Sequence, residues 1–104
     1  MKTIVYRMEK IGKDLQNCKI YQVRNTVNAE IYIGSTSQKL CKRMVIYRQY
    51  SVARVGRFYD EMRRLGKEHF YSELVESYPC ENNEQLTARV QHYIRERGTL
   101  NHSV

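Results

Sequence analysis

Tryptophan is absent from the 104 residues, proline occurs once, at Pro79, and phenylalanine only twice. An interior built on Trp and Phe is excluded, so nine tyrosines must supply most of the aromatic bulk. Carboxylates are also scarce: 11 Asp and Glu against 18 Lys and Arg leave a net charge of +7. That imbalance favours an acidic partner, and nucleic acid is the commonest one. The three cysteines, Cys18, Cys41 and Cys80, are odd in number and scattered. They argue against a disulfide framework and fit a reducing compartment, intracellular and either cytoplasmic or nuclear. No apolar run approaches the ~20 residues of a membrane span. Lys2 and Arg7 interrupt the N-terminus where a secretory signal needs an apolar block, so no membrane partner and no export by that route are expected. Repeats and low-complexity tracts are missing too, and the length suits one domain rather than two.

Within that frame the local signals are uneven. Residues 1–17 are charged and weakly periodic and read as an N-terminal extension; the domain proper is expected over 18–104. Lys19 to Asn25 is β-branched and aromatic, residues 26–29 turn, and Glu30 to Gly34 resumes the strand pattern, which predicts a hairpin. A symmetric loop sets Asn25 opposite Glu30, Val23 opposite Tyr32 and Tyr21 opposite Gly34. Tyr21, Val23, Tyr32 and Gly34 then share one face, and Ile20, Gln22, Ile31 and Ile33 the other. The two phenols become diagonal neighbours whose tips can converge, and Gly34 leaves open the space beside Tyr21.

Ser35, Thr36 and Ser37 offer N-cap oxygens ahead of a helix from Lys39 to about Arg54. On it Lys39, Arg43 and Tyr47 recur every fourth residue and line one face, while Leu40, Met44 and Tyr47 form a staggered apolar set. A second helix is predicted over Arg57 to Leu65, capped by Gly66, and a third strand over Phe70 to Glu76. Asn82 with Gln85 resembles a capping box opening a helix from Asn83 to Arg97, ended by Gly98. His69, His92 and His102 are too far apart for a metal-ligand pattern, and Cys80 has no cysteine partner at finger spacing, so a structural zinc is not expected.

Lys19-Ile20-Tyr21, then Tyr32-Ile33-Gly34-Ser35-Thr36, then Arg43, then Leu100-Asn101 together resemble the GIY-YIG endonuclease domain over about residues 18–102. Lys19 stands where the family name has glycine. The resemblance implies an α/β (α+β) fold, a small three-stranded antiparallel sheet flanked by helices. It implies DNA as substrate and phosphodiester hydrolysis with Mg2+ or Mn2+. By the same resemblance Tyr21 takes part in removing a proton from the attacking water and Tyr32 positions water or phosphate. Arg43 holds the scissile phosphate, Tyr47 stands where members carry His or Tyr, and Asn101 anchors the end of the site. Lys39 and Lys42 would add phosphate contacts. A guanidinium suits this chemistry because its planar fork matches two phosphate oxygens. A phenol with an ordinary pKa near ~10 is a poor base at neutral pH and needs cations nearby.

The family also places a metal-binding glutamate on the helix after the third strand. Counting back from Leu100-Asn101 through His92-Tyr93-Ile94, that position is Val90, which cannot ligate a hard cation. Val90 lies in an apolar stripe with Leu86 and Ile94. Glu84 and Glu96, six residues away on either side, are each rotated by about 240° around the helix and should not reach the same spot. The expectation is a chain that folds and binds DNA but cleaves poorly or not at all. The rest of the motif set is complete, which favours a deliberate inactivating substitution over the drift of a natural pseudo-nuclease. The alternative is a non-catalytic nucleic-acid-binding module on the same fold. With so small a domain, sequence specificity must come from loops, from the N-terminal extension, or from pairing two copies as a homodimer.

Overall fold

The computed structural model describes residues 14–101; most of the N-terminal extension, and His102, lie outside them. Among these residues the order is a 3-10 turn Leu15–Asn17, strand β1 (Lys19–Asn25), strand β2 (Tyr32–Thr36), helix α1 (Leu40–Tyr50), helix α2 (Arg57–Leu65), a second 3-10 turn Lys67–His69, strand β3 (Phe70–Ser77) and helix α3 (Asn83–Arg97). The strands form one antiparallel sheet in the order β2-β1-β3. The α+β class and the three strands are as expected. No helix among the described residues is long and apolar enough to cross a membrane.

β1 and β2 pair in the expected register, with Tyr21 opposite Gly34 and Val23 opposite Tyr32. The strand boundary differs from the sequence reading. β2 begins at Tyr32 and runs on to Thr36, which pairs with Lys19. Glu30 and Ile31 stay out of the ladder because other partners claim them. The backbone N–H of Ile31 donates to the Thr99 hydroxyl at 2.7 Å, and its carbonyl accepts from the N–H groups of Thr99 and Leu100. At the turn, the Asn25 side-chain oxygen accepts from the N–H groups of Val27 and Asn28, so Asn25 closes the turn instead of pairing with Glu30. Thr36 is therefore a strand residue, and the N-cap position of α1 falls on Lys39 without a side-chain cap. α1 also ends four residues early, at Tyr50, where the chain turns sharply and the Ser51 hydroxyl donates back to the Arg48 carbonyl. α2 and α3 have the expected bounds, and the Asn82 side chain accepts from the N–H of Gln85 at 2.9 Å.

Alternation along β1 divides the interior in two. Tyr21 and Val23 join Met44 and Tyr47 of α1, Phe58 and Met62 of α2, Phe70 and Leu100 in the main core. A smaller cluster gathers Cys18, Cys80 and Leu86, with Leu15, Tyr78 and Val90 packed against it. Leu15 thus ties the end of the N-terminal extension to the domain, and its carbonyl accepts the N–H of Cys80 at 3.0 Å.

A bulge interrupts the β1–β3 ladder between Ile20 and Tyr21, whose partners are Glu76 and Leu74. Val75 is the extra residue. Its insertion turns Glu76 to the Ile20 side of the sheet, where Arg89 of α3 grips it with two hydrogen bonds of 2.7 and 3.1 Å and Tyr93 adds a third.

Candidate functional site

Four of the sequence-selected residues meet on the main-core side of the sheet. Tyr21 is buried and its hydroxyl is hydrogen-bonded to that of Tyr47. Tyr47 is the hub. Its ring lies 6.4 Å from that of Tyr21 and 5.8 Å from that of Tyr32, edge-on to the latter. Tyr21 and Tyr32, expected to converge on each other, converge instead on the tyrosine that α1 lowers between them. Arg43, one helical turn before Tyr47, donates from Nη2 to its hydroxyl at 3.4 Å and places its guanidinium carbon 5.0 Å from the ring centre.

The close approach depends on Gly34. A Cβ there would stand 2.5 Å from the Tyr21 hydroxyl and 2.7 Å from Cζ. The absence of a side chain is thus a packing requirement, as the sequence reading anticipated.

Burial dominates the electrostatics. It pushes the phenols of Tyr21 and Tyr32 well above their ordinary range, and Tyr47 reinforces the shift in both. Arg43 pulls the other way but is outweighed. Both tyrosines are neutral at physiological pH and keep a hydroxyl proton to donate. Desolvation would by itself lower the pKa of Arg43. The hydrogen bond to Tyr47 and the neighbouring phenol oxygens overcome it, and the guanidinium is held charged more firmly than usual. Among the described residues Arg43 has no carboxylate partner, and its buried Nε has no hydrogen-bond partner. A guanidinium with no carboxylate partner and one of its own N–H groups unsatisfied is a cost to folding.

The Tyr47 oxygen accepts from Arg43, and of the Tyr21 and Tyr47 phenols one donates to the other. The Tyr32 hydroxyl is bonded to that of Tyr47 as well, so three phenol protons serve two phenol–phenol bonds and one is left over. Cation and donor together form a cradle of positive charge and hydrogen-bond donors.

Asn101 plays a different part. Its Oδ1 accepts from the Ile33 N–H at 2.8 Å, and its Nδ2 donates to the Ile33 carbonyl at 2.6 Å. The C-terminal strap is thereby tied along the free edge of β2, next to Tyr32. Lys39 and Lys42 are exposed at the start of α1 and belong to the surface around the cradle, not to its interior. Sequence reasoning missed Phe58, whose ring stacks on Tyr32 at 4.3 Å and 11°, and Tyr59 beside it. The signal available was the Phe58–Met62 spacing of four, which marks the buried side of α2.

Val90 packs against Leu86 and the two buried cysteines of the smaller cluster. The apolar stripe of α3 is as read from the sequence. The donor set does not fit a divalent cation. Valine offers no oxygen, and no three His, Cys, Asp or Glu side chains among the described residues gather closely enough to hold a metal ion. Two other carboxylates are engaged: Glu76 accepts three hydrogen bonds from Arg89 and Tyr93, and Glu96 pairs with Arg97 at 2.7 Å.

Residues 17–102 match the family model of the GIY-YIG catalytic domain. In structure the chain is similar to the catalytic domain of homing endonuclease I-TevI, with a TM-score of 0.68 and 21% identity over 84% of this chain and 99% of that one. At that identity the likeness establishes the fold alone. No curated protein matches the chain. The motif order, the tyrosine-centred site and the matched span agree, and the chain belongs to the GIY-YIG family.

Proposed function

We propose that this chain binds DNA by holding a backbone phosphate at Arg43, Tyr21 and Tyr47, and that Val90 leaves it strongly impaired as a phosphodiesterase. The observation that carries the reading is the Arg43 guanidinium, charged, unpaired and bonded to a tyrosine that is itself bonded to another. A phosphodiester supplies what that group lacks: an anion with oxygens that fit a guanidinium fork. The surplus phenol proton would hydrogen-bond the same phosphate. As negative charge grows on the phosphoryl oxygens, both contacts strengthen, which is how a prearranged donor set favours hydrolysis.

The family's divalent cation would supply Lewis-acid stabilisation of the leaving oxygen, and the residues present do not fit it. Losing such a contribution, several kcal/mol, slows a reaction on the order of a thousandfold or more. Hydrolysis, if retained, would rest on the cradle alone. The non-catalytic binding module is the limit of this reading in which the residual rate has no biological use.

The test is Val90→Glu with Mg2+ or Mn2+, following supercoiled plasmid into nicked and linear forms. Cutting restored by Val90→Glu and lost again with Tyr21→Phe or Arg43→Ala supports the proposal. DNA binding at low salt, where phosphate contacts are strongest, should weaken with Arg43→Ala. Binding indifferent to Arg43→Ala would overturn the phosphate assignment. Cutting by the unaltered chain at the rate of the Val90→Glu variant would overturn the account of Val90.

A further inference from the structure

Beside the cradle lies a cleft of about 310 Å³, walled by Tyr32 of β2, by Gly56, Arg57 and Tyr59 at the start of α2, and by Leu100 of the strap. It stands at the small end of ligand-site volumes. Tyr32 is a shared wall, packed edge-on against the hub Tyr47 on one side and lining the cleft on the other. On the lip, Val55 is 84% exposed, apolar surface that folding leaves uncovered. Gly56 has φ +136°, and the nearest atom to a Cβ there would be 4.0 Å away, so the backbone at the mouth is open.

We propose that this cleft receives one unpaired nucleobase from the strand whose phosphate sits at Arg43. The inference rests on the phosphate reading above and adds the substrate class. Three features select the occupant. The cleft is lined by aromatic and aliphatic side chains with no carboxylate, and its one charged liner is Arg57, whose contact with Glu30 is a long 3.9 Å. That combination suits a flat ring carried on an anionic backbone. The Asn101 amide is held in place by one bond at each end to Ile33. Recognition is chiefly by stacking on the ring walls, a contact every base can make. Finally, a cleft of this size cannot admit a base that is still paired and stacked in a duplex. The base must already be free, as in single strands, frayed ends or branches, or it must be extruded at a cost.

The experiment compares the full chain bound to a single-stranded oligonucleotide, to the same backbone with abasic positions, and to the corresponding duplex, by fluorescence anisotropy at low salt. Stacking predicts tighter binding of the base-bearing single strand than of the abasic one by roughly tenfold, and tighter binding than of the duplex. Tyr59→Leu should bring the base-to-abasic ratio toward one. Val55→Ser, at a position too exposed for folding to notice, should lower the ratio in the same direction. Arg43→Ala should weaken both single strands equally and leave the ratio intact. A ratio near one in the unaltered chain, a ratio unmoved by both cleft variants, or duplex bound more tightly than single strand overturns the nucleobase proposal. Failure of Arg43→Ala to weaken binding overturns the phosphate reading instead, which keeps the two distinguishable.

Discussion

Replacing Gly34 with alanine is the sharpest perturbation of the site because one methyl group meets one hydroxyl. The added Cβ would lie 2.5 Å from the Tyr21 oxygen and 2.7 Å from Cζ, so a shift of about 1 Å is required to restore ordinary contact. Tyr21 is only 1% exposed and packed among Val23, Met44 and Tyr47, so the ring cannot swing into solvent. Alanine in a strand gains about 0.5–1 kcal/mol over glycine from the unfolded chain. Against that stand roughly 1–3 kcal/mol for overpacking and about 1 kcal/mol for the broken hydroxyl bond to Tyr47. The net expectation is a loss of about 2 kcal/mol, read by urea unfolding as a midpoint lower by about 1 M. In the Gly34→Ala background, Tyr21→Phe removes the nearest atom and should cost less than it does alone. A Gly34→Ala variant within about 0.5 kcal/mol of the parent, or strict additivity of the two changes, would refute the packing argument.

Two further predictions concern other parts of the fold. Glu76 is held below the usual carboxylate range, chiefly by its hydrogen bonds from Arg89. It therefore contributes stability that is present above its unfolded value and lost as pH falls through the folded one. Glu76→Gln should flatten the fall in thermal midpoint below about pH 4.5, and an unchanged acid profile would refute the pairing. At the alkaline end the sign reverses. The raised phenols of Tyr21 and Tyr32 contribute stability below about pH 10 that is lost as pH rises. A phenolate absorbance titration, with Tyr21→Phe and Tyr32→Phe to assign the signal, should thus show Tyr21 and Tyr32 ionising only with unfolding, and their ionisation at the ordinary value would refute their burial.

How much of this was legible depended on whether the determining contact was local. The β1–β2 register could be read because alternation and a symmetric turn act within a short segment. The bounds of α2 and α3 could be read because Gly66, Asn82 and Gly98 act on adjacent backbone. Gly98 is required for space too, since a Cβ there would meet the Asn101 Oδ1 at 2.8 Å and the Ile94 Cα at 3.0 Å. The start of β2 was misread because Ile31 is claimed by Thr99, 68 residues on, and no local pattern announces such a competitor. The bulge at Val75 was invisible for the same reason. Tyr47 could be placed on the face of α1 with Arg43. That it stands between the other two tyrosines follows from how α1 lies over the sheet, which spacing along a helix does not contain.

The smaller cluster decides how Val90 can be tested. A valine among Leu86, Cys18 and Cys80 contributes to folding, and a glutamate there carries its charge into apolar surroundings. Val90→Glu should therefore lower stability by about 1–3 kcal/mol in the absence of divalent ions. If the new carboxylate meets a cation, binding to the folded state alone returns about 2.7 kcal/mol at a hundredfold excess over Kd. The thermal midpoint of Val90→Glu should then rise with Mg2+ or Mn2+ while that of the parent stays put. Val90→Gln, which keeps the bulk and loses the charge, should not respond. Equal responses in all three would mean that the ion binds elsewhere, and no response in Val90→Glu would mean that position 90 does not face a metal. Because this readout is stability, it judges the position even where cutting is too slow to see.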